Sequence, residues 1–156
     1  MTIMRTPQGV FAAATLSMVF TIACGHDFEP PDRAQRVLEA ERAYSAALFD
    51  SISWASQEVR VLEGNTVYAE ECRRCHGQLG EGRTAYARER NLTVPSLVEP
   101  DWPLAERDAL RREIYVGHES GMPVFGEGDL SLWQVDAVAA YILDVLRPEV
   151  RGDGQG

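Results

Sequence analysis

The chain has 156 residues, of which 45% are hydrophobic and 25% are charged, enough for one domain with an extension. Its 24 acidic residues outnumber its 15 basic residues, all of which are arginine, and the formal net charge is -9. This charge excludes nucleic acid as an expected partner. It favours a protein partner with a basic docking patch, because complementary charge guides encounter and orientation.

The first 23 residues have the pattern of a signal peptide. Arg5 is followed by an apolar stretch, residues 10–23, that is too short for a comfortable membrane span. The run Thr21-Ile22-Ala23-Cys24 resembles the bacterial lipobox, which implies that Cys24 is lipidated and becomes the mature N-terminus. Ordinary signal-peptide cleavage and an uncleaved short anchor are the alternatives. We expect an exported protein, held on the periplasmic side of a membrane by the lipid on Cys24.

Residues 24–55 are predicted to form a lipid-anchored linker that contains a helix. Pro30 and Pro31 break the chain, and residues 32–49 then place apolar side chains at helical spacing. A plain tether would not need those apolar residues. The helix is therefore expected either to pack on the following domain or to dock into a larger complex.

A second helix is predicted from about Gln57 to Glu71. It presents Val61, Gly64 and Tyr68 on one face, which is the pattern of a buried stripe. Gly64 lowers helix stability, so its expected use is to allow close approach by another helix.

Directly after this helix, Cys72 to His76 form a C-x-x-C-H motif, which is typical of covalent c-type haem attachment. The two thiols each add to a haem vinyl group, and His76 follows as the proximal iron ligand. A zinc site and a dithiol redox pair are the alternatives for the C-x-x-C part. Zinc would need further ligands, for which the chain offers only Cys24, His26 and His118, and a redox pair would need a preceding strand. The single motif predicts one covalent haem c.

A middle helix is predicted from about Trp102 to Val116, with Asp101 at its N-cap and Pro103 in its first turn. Gly117 follows its end. The stretch between the haem motif and this helix, residues 77–100, is predicted to be rich in loops.

Met122 is the only methionine beyond the N-terminal segment, and it stands between Gly121 and Pro123 in a predicted loop. Glycine and proline disfavour a core helix here, so we expect the thioether to bind the iron rather than fill the core. Methionine and histidine together give a six-coordinate haem suited to electron transfer. His118 is the nearest competing ligand.

The last helix is predicted from Leu132 to Leu146. Ser131 and Gln134 form a capping box at its start, and it is expected to stop before Pro148. Three main helices without a convincing strand pattern predict an all-α domain that wraps around the haem, which supplies much of the core.

Residues 56–148 resemble a class I monohaem cytochrome c domain. The resemblance rests on the following residues: Gly64, Tyr68, Cys72, Cys75, His76, Gly77, Ile114, Gly117, Met122, Pro123 and Tyr141. It implies the cytochrome c fold over residues 56–150, followed by a flexible tail over residues 151–156. It also implies that a proline carbonyl orients the proximal histidine, and Pro95 resembles that proline.

The resemblance implies one-electron transfer with redox partner proteins rather than catalysis. We expect a membrane-tethered cytochrome, either a carrier or a haem subunit of a respiratory or photosynthetic complex. The alternative function is a haem peroxidase or gas sensor in which Met122 dissociates from the iron.

Overall fold

The computed structural model describes residues 32–152, which form seven helices and short 3-10 turns without any β-strand. The prediction of an all-α fold with three main helices is therefore confirmed. The predicted signal peptide, the lipidation site Cys24 and residues 153–156 lie outside the described residues. No helix within residues 32–152 combines the length and the apolar character needed to cross a membrane.

The first main helix is longer than predicted and changes pitch along its length. Helix α2, Gln57–Val67, begins after Ser56, whose side chain accepts a hydrogen bond from the first turn. It continues through a π-helical turn, Tyr68–Cys72, and an α-helical turn that ends at His76. A π turn interrupts the regular hydrogen-bond ladder and often occurs at functional sites. Here it ends at Cys72, the first cysteine of the C-x-x-C-H motif.

The middle helix begins later than predicted. Helix α5, Arg107–Val116, starts after Glu106 rather than Asp101. The predicted start was wrong because Trp102 is buried in the core, where the guanidinium of Arg147 lies 4.8 Å from its ring centroid. Residues 101–106 therefore follow the surface of the core as turns. The predicted Gly117 at the helix end is confirmed, with a φ of 71°.

The last helix also extends beyond its predicted end. Helix α6, Leu132–Tyr141, begins with the predicted capping box of Ser131 and Gln134. It then passes through a π-helical turn, Ile142–Leu146, into helix α7, Arg147–Arg151, so the predicted stop before Pro148 was wrong. Pro148 is tolerated because the π turn before it already interrupts the regular backbone ladder, and because it lies at the start of α7.

Helices α2 and α6 cross in direct contact at Gly64. A Cβ atom at Gly64 would collide with the backbone carbonyl of Ala137 and would lie 2.7 Å from Cβ of Tyr141. The rings of Tyr68 and Tyr141 pack beside this crossing, with centroids 5.5 Å apart. The predicted role of Gly64 in close helix approach is therefore confirmed.

The extension before α2 packs on the domain, which is one of the two alternatives that the sequence left open. Helix α1, Arg33–Ala43, lies against α5, and the carboxylate of Glu41 forms an ion pair with Arg112. A 3-10 turn, Ala46–Phe49, follows and places the Phe49 ring in the hydrophobic core.

A buried carboxylate joins the extension to the main helices. Asp136 on α6 is 1% exposed and accepts hydrogen bonds from Trp54 (2.7 Å), Arg60 (2.5 Å) and Arg111. Burial raises the pKa of Asp136, but the hydrogen bonds from Arg111, Arg60 and Trp54 outweigh burial and leave the pKa below its usual value. The cluster therefore holds a negative charge inside the fold at neutral pH.

Replacement of Asp136 should destabilise the fold and should make its free energy of unfolding less dependent on pH in the acid range. We expect Asp136→Asn to lower the free energy of unfolding by about 3 kcal/mol, because it removes the buried carboxylate that pairs with both Arg60 and Arg111. The pKa of Asp136 is lower in the folded than in the unfolded chain, so its contribution is present at neutral pH and is lost as the pH falls below about 4. Urea unfolding of the holoprotein at neutral and acid pH measures both effects.

Asp129→Asn, at an exposed position, removes the same charge and serves as the control. It should change the free energy of unfolding by less than about 0.5 kcal/mol. Equal acid sensitivity in wild type and Asp136→Asn would contradict this account of the cluster.

Candidate functional site

An apolar cavity of about 390 Å³ lies between the end of α2, helix α5, the loop after α5 and the turn after α6. This volume falls in the range of small-molecule and cofactor sites. The sequence-predicted cofactor residues within residues 32–152 all line it: Cys72, Cys75, His76, Pro95 and Met122. The structure thus brings them together, while their individual roles stay predictions.

Both motif cysteines are half-buried at the cavity wall. Burial raises the pKa of the Cys72 thiol to about 12, so this thiol is uncharged at neutral pH. The thiolate is the form that attacks a disulfide, so burial of Cys72 disfavours a dithiol redox role for the motif. Within the described part of the chain, no group of three or more His, Cys, Asp or Glu side chains is arranged to hold a metal ion.

His76 lies at the end of its helical turn with its ring directed to the cavity wall. The chain reverses after it, and the backbone carbonyl of His76 accepts a hydrogen bond from the Gly82 amide at 2.7 Å. The hydroxyl of Tyr68 donates to the carbonyl of Gly77 at 2.8 Å and ties this turn to the core. These hydrogen bonds therefore hold the backbone of the turn that carries His76.

The His76 ring is in the protonation state that suits an iron ligand. Burial lowers its pKa, and the carbonyl of Pro95, which lies beside the ring, raises the pKa by a smaller amount. Nδ1 is buried and forms no hydrogen bond of good geometry with the described residues. A neutral imidazole with a carbonyl beside it is what proximal ligation requires.

The loop that contains Met122 lines the same cavity and folds back on itself. The His118 amide donates to the carbonyl of Met122 at 3.1 Å, and the Gly121 amide donates to the carbonyl of His118 at 3.1 Å. A φ of 134° at Gly121 and the close approach of the Leu92 side chain explain why glycine precedes the methionine. Met122 is half-buried and packs against the core.

His118 lies at the edge of the same cavity but is exposed. Its Nδ1 accepts a hydrogen bond from the Ser120 amide at 3.1 Å and lies 2.6 Å from the Ser120 hydroxyl. The ring is thus held by its own loop, which favours Met122 over His118 as the ligand from this segment.

Sequence reasoning missed most of the cavity wall. These residues were not predicted as part of the site: Leu92, Val94, Leu97, Leu104, Leu110, Glu113, Ile114, Phe125 and Ile142. On α5 the spacing of Leu110, Glu113 and Ile114 already places them on one helix face, so this part was detectable. The loop residues, from Leu92 to Leu104, have no periodic signal that separates a cofactor wall from an ordinary core.

Comparison with known proteins decides the family. A family model described as cytochrome c oxidase, cbb3-type, subunit III matches residues 59–142, more than half of the chain. The chain belongs to this family. The matched segment contains the C-x-x-C-H motif, the Met122 loop and helices α2, α5 and α6. No curated protein and no solved structure is significantly similar to the chain.

Membership in this family means a class I c-type cytochrome domain with one covalently bound haem c. The residues of the cavity fit that cofactor: Cys72 and Cys75 offer thiols, His76 offers a neutral imidazole, and the remaining wall is largely apolar. Bound haem c supplies an iron that gains and loses one electron. The largely apolar cavity wall would shield that iron from water, and side chains that line the cavity would hold it.

The two motif cysteines should carry the covalent attachment, whereas Cys24 should not. Acid-acetone extraction should leave haem on the wild-type chain but should remove it from a Cys72→Ala/Cys75→Ala variant, which has no thioether bond. Haem staining of the denatured chain on a gel measures the attachment. Cys24→Ser, which removes the other cysteine, should retain covalent haem. Loss of covalent haem in Cys24→Ser alone would contradict the assignment.

Proposed function

We propose that this chain performs one-electron transfer as a membrane-tethered monohaem cytochrome c, and that it works as a haem subunit of a respiratory oxidase complex. The observation that carries the electron-transfer role is that His76 and Met122, from separate segments, line the same cavity as the motif cysteines. Family membership supports haem-based electron transfer in general. Axial ligation by His76 and Met122 is our assignment.

With both His76 and Met122 bound, the iron would have no open position for a substrate. This favours electron transfer over the alternative of a peroxidase or gas sensor, in which Met122 would dissociate. The half-buried packing of Met122 and the hydrogen bonds of its loop support a bound thioether.

Met122 should control access to the iron. The reduced wild-type holoprotein should not bind carbon monoxide, whereas the reduced Met122→Ala variant should bind it readily because the thioether is gone. The visible spectrum before and after addition of carbon monoxide measures this. His118→Ala should behave like wild type. Ready binding by the wild type would contradict the proposal and would favour the sensor or peroxidase alternative.

An exposed apolar groove supports a role as a permanent subunit. We define the groove by its lining residues: Trp54, Val59, Leu62, Glu63, Thr66, Ser131, Trp133 and Gln134. Leu62 is 67% exposed and Trp133 is 43% exposed. Tryptophan and exposed aliphatic side chains in one groove are typical of protein interfaces.

The occupant that we propose for the groove is an apolar segment of another oxidase subunit, with a basic side chain beside Glu63. The argument is charge complementarity, because Glu63 lines the groove and the whole chain carries a net charge of -9. A basic side chain of the partner at this place would belong to the basic docking patch that the net charge of this chain predicts for its partner.

Disruption of the groove should separate the chain from its complex. Leu62→Asp should weaken co-purification with the other oxidase subunits from detergent-solubilised membranes about tenfold or more, because it places a charge in an apolar contact. Mass spectrometry of the purified complex quantifies each subunit. Leu38→Asp, at an exposed leucine on α1, is the matched control and should assemble normally. Normal assembly of Leu62→Asp would contradict the groove proposal.

We also propose that the protein is exported and anchored on the periplasmic side of a membrane through lipid on Cys24. The lipobox-like run before Cys24 and the use of both other cysteines in haem attachment support this proposal. A single anchor at the chain start leaves the cytochrome domain free to meet its partners at the membrane surface.

Loss of Cys24 should release the chain when no complex holds it. In a strain without the other oxidase subunits, Cys24→Ser should move from the membrane fraction to the soluble fraction, and the wild type should stay in the membrane. Incorporation of a labelled fatty acid should be lost in the same variant. Membrane retention together with unchanged labelling in Cys24→Ser would contradict lipidation at this residue.

A further inference from the structure

One charged side chain lies in a cavity wall that is otherwise largely apolar. Glu113 lines the cavity from helix α5 and is half-buried there, on the same helix face as Leu110 and Ile114. Both of these neighbours are 3% exposed and line the same cavity. An apolar side chain would be the ordinary choice at such a position, because taking a charge out of water costs free energy. The carboxylate therefore indicates a function rather than a contribution to packing.

No salt bridge neutralises the Glu113 carboxylate within the described part of the chain. Its side chain takes part in none of the hydrogen bonds and ion pairs found there. Arg111, two positions earlier on α5, pairs with Asp136. Arg112 pairs with Glu41, and the pKa of Arg112 is raised mainly by this hydrogen bond, with a smaller contribution from the charge of Glu113. The nearest arginines are thus engaged with other carboxylates, and the charge of Glu113 acts on the cavity.

Glu113 is the charged group that most directly affects the interior of the cavity. No arginine of the described chain lines this cavity. Burial lowers the pKa of His76, so its neutral imidazole adds no positive charge. Glu71 and His118 also line the cavity, but both are exposed, so water weakens the effect of any charge that they carry.

A carboxylate in this wall acts on the charge of the bound cofactor. The haem becomes more negative by one unit when its iron is reduced, so a nearby negative charge disfavours the reduced state. The effect is larger inside a protein than in water, because the effective dielectric constant is lower. Removal of the Glu113 charge would therefore raise the reduction potential without any change of the iron ligands.

We propose that Glu113 is a tuning residue that lowers the reduction potential of the bound haem. The proposal rests on the electron-transfer function proposed above. The axial ligands His76 and Met122 set the range of the potential, and Glu113 shifts it downward within that range. A lower potential makes the reduced haem a stronger electron donor, which suits a chain that passes its electron on to an acceptor of higher potential.

The test compares two neutral variants with one that keeps the charge. The reduction potential of each full-length holoprotein is measured at neutral pH by optical titration with redox mediators. Glu113→Gln should increase the ratio of reduced to oxidised haem at a fixed solution potential about tenfold, which corresponds to a rise of about 59 mV for one electron. Glu113→Ala should shift the potential in the same direction. Glu113→Asp, which retains a carboxylate, should change the ratio by less than about threefold.

The matched control is Glu106→Gln, which removes the same charge from an exposed position directly before α5 and outside the cavity. It should change the ratio by less than about twofold, because water weakens the effect of this charge. Equal shifts in Glu106→Gln and Glu113→Gln would overturn the proposal, since net charge alone would then explain them. An unchanged potential in both neutral variants of Glu113 would also overturn it.

A second measurement separates a charge effect from a change of ligand. The weak far-red band of methionine bound to ferric iron should be present in every variant. A raised potential together with loss of this band in both neutral variants of Glu113 would overturn the proposal, because the lost ligand would explain the shift. Failure of both neutral variants to attach haem would overturn it in favour of a structural role for Glu113.

The same titration tests the function on which the proposal rests. A wild-type haem that cannot be reduced and reoxidised reversibly would overturn the electron-transfer function itself, and the tuning role with it. A reversible titration of the wild type with the same potential in the neutral variants of Glu113 would overturn the tuning role alone.

Discussion

The close crossing of α2 and α6 at Gly64 is the contact on which the rest of the structure depends. Because no side chain separates the helices there, the backbone of α2 lies against the carbonyl of Ala137. α2 continues directly into the haem motif, and the turn after α6 adds Ile142 to the cavity wall. The crossing therefore determines where Cys72 to His76 meet the opposite wall, and a larger residue at Gly64 would move both.

Charged side chains are arranged differently inside the fold and on its surface. Inside the fold, Asp136 is surrounded by donors from three other segments, which ties the extension to the helices that build the cavity. On the surface, most of the chain is acidic, but the stretch beside the haem motif is basic and contains Arg74 and Arg90 without ion pairs among the described residues.

Local signals predicted a large part of the molecule. The C-x-x-C-H motif and the Ser131 capping box each express a requirement that acts within one or two helical turns. Gly64 serves a contact with a distant helix, but it could be detected because glycine inside a helix lowers helix stability. The wrong predictions concern segments whose structure depends on contacts with residues far away in the chain. Residues 102–106 were expected to be helical, but they form turns where Trp102 is buried under Arg147. The cluster around Asp136 could not be predicted, because its hydrogen-bond donors are far from it along the chain and no periodic pattern connects them.

The central claim is that one iron is held between His76 and Met122 for electron transfer. The most direct measurement is the absorption spectrum of the mature ferric holoprotein in the far red, where methionine bound to ferric iron gives a weak band. The account predicts that this band is present in the wild type and absent from Met122→Ala. A wild-type spectrum without the band, or a band that survives in Met122→Ala, would contradict the assignment of Met122 as the second ligand.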